Sequence, residues 1–207
     1  MSKKLNRTQK TEIKNTNISS FQNGIFQKFT IKEIVFLAIL SAVLILTCSI
    51  MAVVAEATKV VWAVGQVATA LQMSLFLTIG LMRVRKTFSA SFILIFMGVI
   101  MFMMSPVMGL SNIFVLICIE LLVLIIFKGY ESDKAAMFAG FVAPILSIIT
   151  PAVYNSILVP EVFSATISNP IMVVGMTLLV VALSFIGSFV GLKIGKELQK
   201  SGVMKNG

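Results

Sequence analysis

Glu120 falls about ten residues into an otherwise uncharged apolar run, Leu110–Phe127. An acidic side chain near a bilayer midplane costs ~2.5–3.5 kcal/mol on insertion scales, so something must compensate it. Two roles answer that need. The carboxyl contacts a substrate or a proton, or it hydrogen-bonds between helices, protonated or not, and fixes their packing. No basic residue shares the apolar runs with it, which weighs toward packing.

A second group is Glu56, Lys59, Trp62 and Gln66, close enough in sequence for the first three to share a turn or loop. An aromatic face beside polar groups can grip a small heterocycle by stacking and hydrogen bonds. The same residues equally make an interfacial tryptophan anchor with a solvated ion pair. Asn112, Tyr154 and Asn155 are further polar positions at the same predicted end, each a ligand contact or a cap. Met97, Met101, Met103, Met104 and Met108 crowd one stretch. Soft thioethers suit copper or a flat apolar ligand, and also serve as ordinary gap-fillers; with no histidine to complete a metal set, packing is the reading adopted.

Other chemistry is pruned by composition. The chain has 207 residues and no histidine, so neither a Ser-His dyad, a zinc H-E-x-x-H site nor a histidine proton relay can be built. Asp133 is the sole aspartate and is placed between apolar runs, which removes an intramembrane aspartyl pair. Cys48 and Cys118 lie inside apolar runs and read as small packing groups. Nothing resembles G-x-x-x-x-G-K-[S/T], so no nucleotide motor is encoded. No enzyme, metal site or cofactor is expected.

The elements that must position these residues follow from hydropathy. With 58% apolar and 12% charged residues against roughly 25% charged in a soluble domain, and a mean hydropathy of +1.02, the chain is a membrane protein. Residues 1–33 are polar and lysine-rich and read as a cytoplasmic tail, in which Ile18, Phe21, Ile25 and Phe29 suit a short interfacial helix. Apolar runs at Ile34–Ala55, Val60–Met82, Phe88–Val107, Leu110–Phe127, Ala135–Val153 and Pro170–Leu192 predict an all-α membrane domain of six transmembrane helices over 34–196, with 197–207 a second cytoplasmic tail. Ala55-Glu56-Ala57 resembles a signal-cleavage site, but the run before it is too long for a secretory h-region. With both termini inside, every Lys and Arg except Lys59 falls on the inner side, as the positive-inside rule requires. The longest outer link, Tyr154–Asn169, is expected to be a loop capping the outer helix ends. Small residues recur as Ala38, Ser41 and Ala42 in the first run and as Gly187, Gly191 and Gly195 in the last, faces that let a helix approach closely in lipid.

Together these features resemble the substrate-binding S component of an energy-coupling factor (ECF) vitamin transporter. Phe29-Thr30-Ile31-Lys32-Glu33 leads into the Ala38/Ala42 motif, the second run ends in Met82-Arg83-Val84-Arg85-Lys86, and the fourth continues from Ile119-Glu120-Leu121-Leu122 to Lys128-Gly129-Tyr130-Glu131-Ser132. Gly187, Gly191 and Gly195 precede Lys196-Glu197-Leu198. The fourth-span pattern is most similar to the MptD or Trep-Strep type. The resemblance implies a bacterial cytoplasmic-membrane protein that captures a micronutrient outside and delivers it inward with a T component and two cytoplasmic ATPases. It implies that Ala38 and Ala42 dock the T component, and that Glu120 has a structural role shared within the subgroup. No residue set matches the riboflavin, thiamine or biotin pockets. The alternatives are a membrane interaction or immunity-type accessory protein, and a stand-alone transporter with Glu120 as its proton site.

Overall fold

The computed structural model describes residues 28–57, 64–104, 106–158 and 160–201. Among them every regular element is an α-helix: α1 Ile31–Ala57, α2 Val64–Arg83, α3 Ser89–Met104, α4 Pro106–Phe127, α5 Asp133–Leu158, α6 Pro160–Ile167 and α7 Pro170–Lys200. The protein is an all-α polytopic membrane protein. Segments Ile31–Met51, Gly65–Arg83, Gly109–Phe127 and Pro170–Lys200 are each long and apolar enough to cross a bilayer. Helix α3 is apolar but has 16 residues, ~24 Å at ~1.5 Å per residue, and α5 has 26.

Local signals explain where the helices start. Thr30 and Glu33 form a reciprocal capping box at α1: the Thr30 N–H donates to Glu33 Oε2 (2.7 Å) and the Glu33 N–H to Thr30 Oγ1 (3.4 Å). Pro106, Pro160 and Pro170 each open a helix, where a missing N–H costs nothing. Asn169 caps α7 by accepting from the Met172 N–H, and Ser132 caps α5 through Ala135.

These signals also correct three sequence expectations. The third and fourth spans are not separated at Val107, because Pro106 starts α4 there. Asp133 is the first residue of α5 and not a loop residue. The expected outer loop Tyr154–Asn169 is largely helical: α5 runs on to Leu158, and Pro160 with Glu161 in its first turn nucleates the short α6. The expected interfacial helix of the N-terminal tail, apart from Phe29, lies outside the described residues, as do Lys59, Trp62 and positions 202–207.

The long helices alternate between two ends, and one end is tied together by charge. Arg85, after α2, bonds Asp133 Oδ1 at 2.6 Å, the Glu131 carbonyl at 3.0 Å and Gln199 at the end of α7. Lys196 takes the other Asp133 oxygen at 3.2 Å. Lys86 pairs with Glu33 at 2.7 Å and donates to the Lys28 carbonyl. The starts of α1, α3 and α5 and the ends of α2, α4 and α7 therefore share one basic rim.

Helix α2 is central, packed on α1, α5 and α7, while α4 packs on α3 and α5. The α2–α7 seam is parallel and runs in four-residue steps: Gly187 against Leu71 and Ser74, Gly191 against Leu75 and Thr78, and Gly195 against Met82. A Cβ on Gly191 would lie 2.8 Å from the Leu75 carbonyl oxygen, so only glycine allows this approach. The glycine stripe of the last span thus serves the protein's own fold.

Candidate functional site

Glu120 lies inside the candidate span Gly109–Phe127, close to its centre. It lies just under two turns before the end of α4, ~10 Å by helical rise, on the side of the basic rim. Its Oε1 accepts the Ser91 N–H at 3.0 Å and the Ser91 hydroxyl at 2.8 Å, and the Phe88 N–H faces the same carboxyl. Ser91 is in the first turn of α3, whose exposed amides and positive dipole end favour a carboxyl group. The compensation missing from the sequence is therefore a helix N-terminus.

Phe88 has φ 69°, an unusual conformation for a bulky residue, and Lys128 (φ 61°) and Gly129 (φ 138°) form a second left-handed turn. That second turn delivers Tyr130, 1% exposed, to the remaining side of the carboxyl. Burial and the adjacent carboxyl push the Tyr130 phenol above its usual pKa, so it stays protonated. One carboxyl thus ties α3 to α4, with the α4–α5 turn beside it. Ser91 and Tyr130 were not singled out in the sequence; the only local cue was the turn-forming glycine before Tyr130.

The other predicted polar residues belong to the opposite end. Glu56 is in the last turn of α1, Gln66 in the first turn of α2, Asn112 in the second turn of α4, and Tyr154 and Asn155 in the last two turns of α5. Topology brings these helix ends to one face of the bundle. Of these, the side chains of Gln66 and Asn112 are among those described, and they sit on different helices. Asn112 is buried beside Gly98 of α3, whereas Gln66 is on α2, which packs mainly on α1, α5 and α7. Gln66 Oε1 is sealed from solvent without a hydrogen-bond partner among the described residues, and so is Gln72 Oε1 further along α2, a position the sequence did not flag. An unsatisfied amide oxygen costs free energy that a ligand N–H or O–H would recover. Trp62, the expected stacking ring, lies outside the described residues.

The three methionines whose side chains are described do not share one environment. Met97 is buried, Met101 packs against the core and Met103 is 86% exposed, as gap-fillers on different faces would be. Cys48 and Cys118 are both free thiols.

On α1 the two faces separate clearly. Leu37, Ser41 and Leu44 point inward, and the Ser41 hydroxyl donates to the Leu37 carbonyl at 2.7 Å and to Ile93 of α3 at 3.2 Å. Ala42 is exposed and Ala38 half-buried, beside the outward Val35, Ile39, Val43 and Leu46. No family model, curated protein or solved structure matches the chain. Function must therefore be argued from this geometry.

Proposed function

We propose that the chain is the substrate-binding S subunit of an ECF-type importer in the bacterial cytoplasmic membrane, itself catalysing no reaction. It captures a vitamin or similar micronutrient at the end opposite its basic rim and passes it inward with a T component and two ATPases. The observation that carries this reading is the outward aspect of Ala38 and Ala42. They form a small-residue step on α1 that the fold leaves open at Ala42 and partly open at Ala38, while the comparable glycine stripe of α7 is consumed by α2. A partner helix can approach closely only where side chains are short, and van der Waals packing then supplies the association energy.

Two further observations support the assignment of ends. The basic rim suits the cytoplasmic side, and the sealed Gln66 and Gln72 acceptors lie on α2, which starts at the other end. Glu120 is held through Oε1 by two hydrogen bonds from Ser91 at a helix terminus, which favours a packing role over that of the proton site of a stand-alone transporter. An accessory protein without transport would use the same α1 face and would bind no micronutrient.

The test uses Ala38→Leu/Ala42→Leu. The double variant is expected to insert, fold and retain its ligand, detected by native mass spectrometry of the solitary protein. It is expected to lose pull-down of the T component with its ATPases, and uptake with it. Normal assembly and import would refute the docking role. Loss of ligand and assembly together would assign the two alanines to internal packing. Assembly of the parent without any retained or imported small molecule would favour the accessory reading.

A further inference from the structure

The lipid-facing seam between α5 and α7 carries chemistry unconnected with the opposite end. Phe141 of α5 meets Phe185 of α7 edge to face, with centroids 6.2 Å apart, and Phe185 stacks on Phe189 at 6.4 Å with an interplanar angle of 11°. Phe185 and Phe189 are 53% and 42% exposed, so this aromatic floor opens outward into the acyl region.

Toward the basic rim the floor ends in two lysines. Lys193 follows Phe189 by one turn, its Nζ 4.9 Å from that ring's centroid. Lys134 lies two turns before Phe141 on the same face of α5, because seven residues return a helix to nearly the same angle. Measured from the Phe141–Phe185 contact at ~1.5 Å per residue, Lys134 is ~10 Å and Lys193 ~12 Å nearer the rim. The Lys196–Asp133 bridge holds α5 and α7 together close to that level.

The local charge is unbalanced. Asp133 is shared by Arg85 and Lys196, and Glu197 is paired with Lys200. With Glu33 paired to Lys86, Glu131 is the one acid left on this rim among the described residues against Lys128, Lys134 and Lys193. Both Lys134 and Lys193 are exposed, and neither has an ion-pair partner among the described residues.

We propose that the α5–α7 seam is a binding site for an anionic phospholipid, with Lys134 and Lys193 holding the headgroup phosphate and an acyl chain lying along Phe185 and Phe189. Charge complementarity selects the headgroup, since two uncompensated ammonium groups meet the interface at one level. The floor selects an amphiphile over a soluble anion, since exposed rings directly below the lysines offer contact only to a molecule with an apolar tail. Lysine stems can follow the apolar surface while their charges reach the headgroup layer.

The experiment places the full chain in vesicles as Phe189→Trp with Trp62→Phe, so that the new indole is the sole tryptophan. Its quenching by brominated phosphatidylglycerol is compared with quenching by phosphatidylcholine carrying the same bromines. The expected result is roughly a tenfold preference for the anionic lipid, abolished by Lys134→Gln/Lys193→Gln and absent at a control indole, Leu121→Trp, on the lipid face of α4. Equal quenching by both lipids, or a preference unchanged by the double substitution, overturns the proposal. Native mass spectrometry of the chain with its aromatic residues intact provides a second readout. Retained phosphatidylglycerol should fall in Lys134→Gln/Lys193→Gln, and equal retention overturns the site whatever the fate of the indole variants.

Discussion

Replacing Glu120 by alanine removes the acceptor of the Ser91 N–H and hydroxyl and leaves the Phe88 N–H and Tyr130 phenol facing a void. Each buried polar group stripped of its partner costs about 1–3 kcal/mol, and a carboxyl at a helix N-terminus adds up to about 2 kcal/mol. Partial relaxation recovers some of this, so the expected loss is about 3–5 kcal/mol. For a chain of this length that lowers a melting midpoint by on the order of 10 °C. Glu120→Gln keeps one carbonyl oxygen for Ser91 and turns its amide toward Tyr130, so it should cost about 1 kcal/mol and preserve ligand binding. The assay is thermal unfolding of detergent-solubilised protein, run as a double-mutant cycle with Ser91→Ala. Because the two side chains share one bond, Glu120→Ala should cost about 1–2 kcal/mol less in the Ser91→Ala background. Strict additivity, or an unchanged midpoint in Glu120→Ala, would refute the capping argument. A folded Glu120→Gln protein that bound nothing would promote the carboxyl to a ligand or coupling group.

Three other outcomes follow from the same structure. Gly191→Leu should abolish accumulation of folded protein, because its Cβ alone would press on the Leu75 carbonyl, whereas Gly175→Ala should melt within about 2 °C of the parent, having nothing within 4 Å of the added carbon; expression and midpoint in a fluorescent fusion read both. A cysteine at Glu161 should react with an impermeant maleimide on intact cells and one at Lys200 should not; reversed labelling would invert the assigned ends. Trp62→Ala should weaken ligand binding by about tenfold while Trp62→Phe loses less, if the ring stacks on the ligand; equal affinities of both variants and the parent, by calorimetry, would return Trp62 to an interfacial anchor.

The membrane class and the positions of the long apolar helices were legible from sequence because each depends on local quantities. A run of apolar residues long enough to cross a bilayer does so whatever its neighbours are, and the charges beside it set its orientation. Helix starts at Pro106, Pro160 and Pro170 are equally local, yet only the last coincides with the sequence reading: hydropathy alone carries the third span past Pro106, and the short helix at Pro160 has little hydropathy signal. What only the tertiary structure decided is which face of each span looks inward. In a soluble helix the polar stripe answers that question, but here lipid and protein interior are equally apolar, so α1 and α4 have no apolar face to distinguish from a polar one. Ser41 turned inward and Ala42 outward, although they are adjacent, because Ser41 found the Ile93 carbonyl of α3. Gly187, Gly191 and Gly195 found α2 and not a partner protein, and Glu120 found Ser91 across the α3–α4 contact. Each of these pairings joins segments distant in sequence, and it is this packing that decides which small or polar residues are spent on the fold and which remain for a partner or ligand.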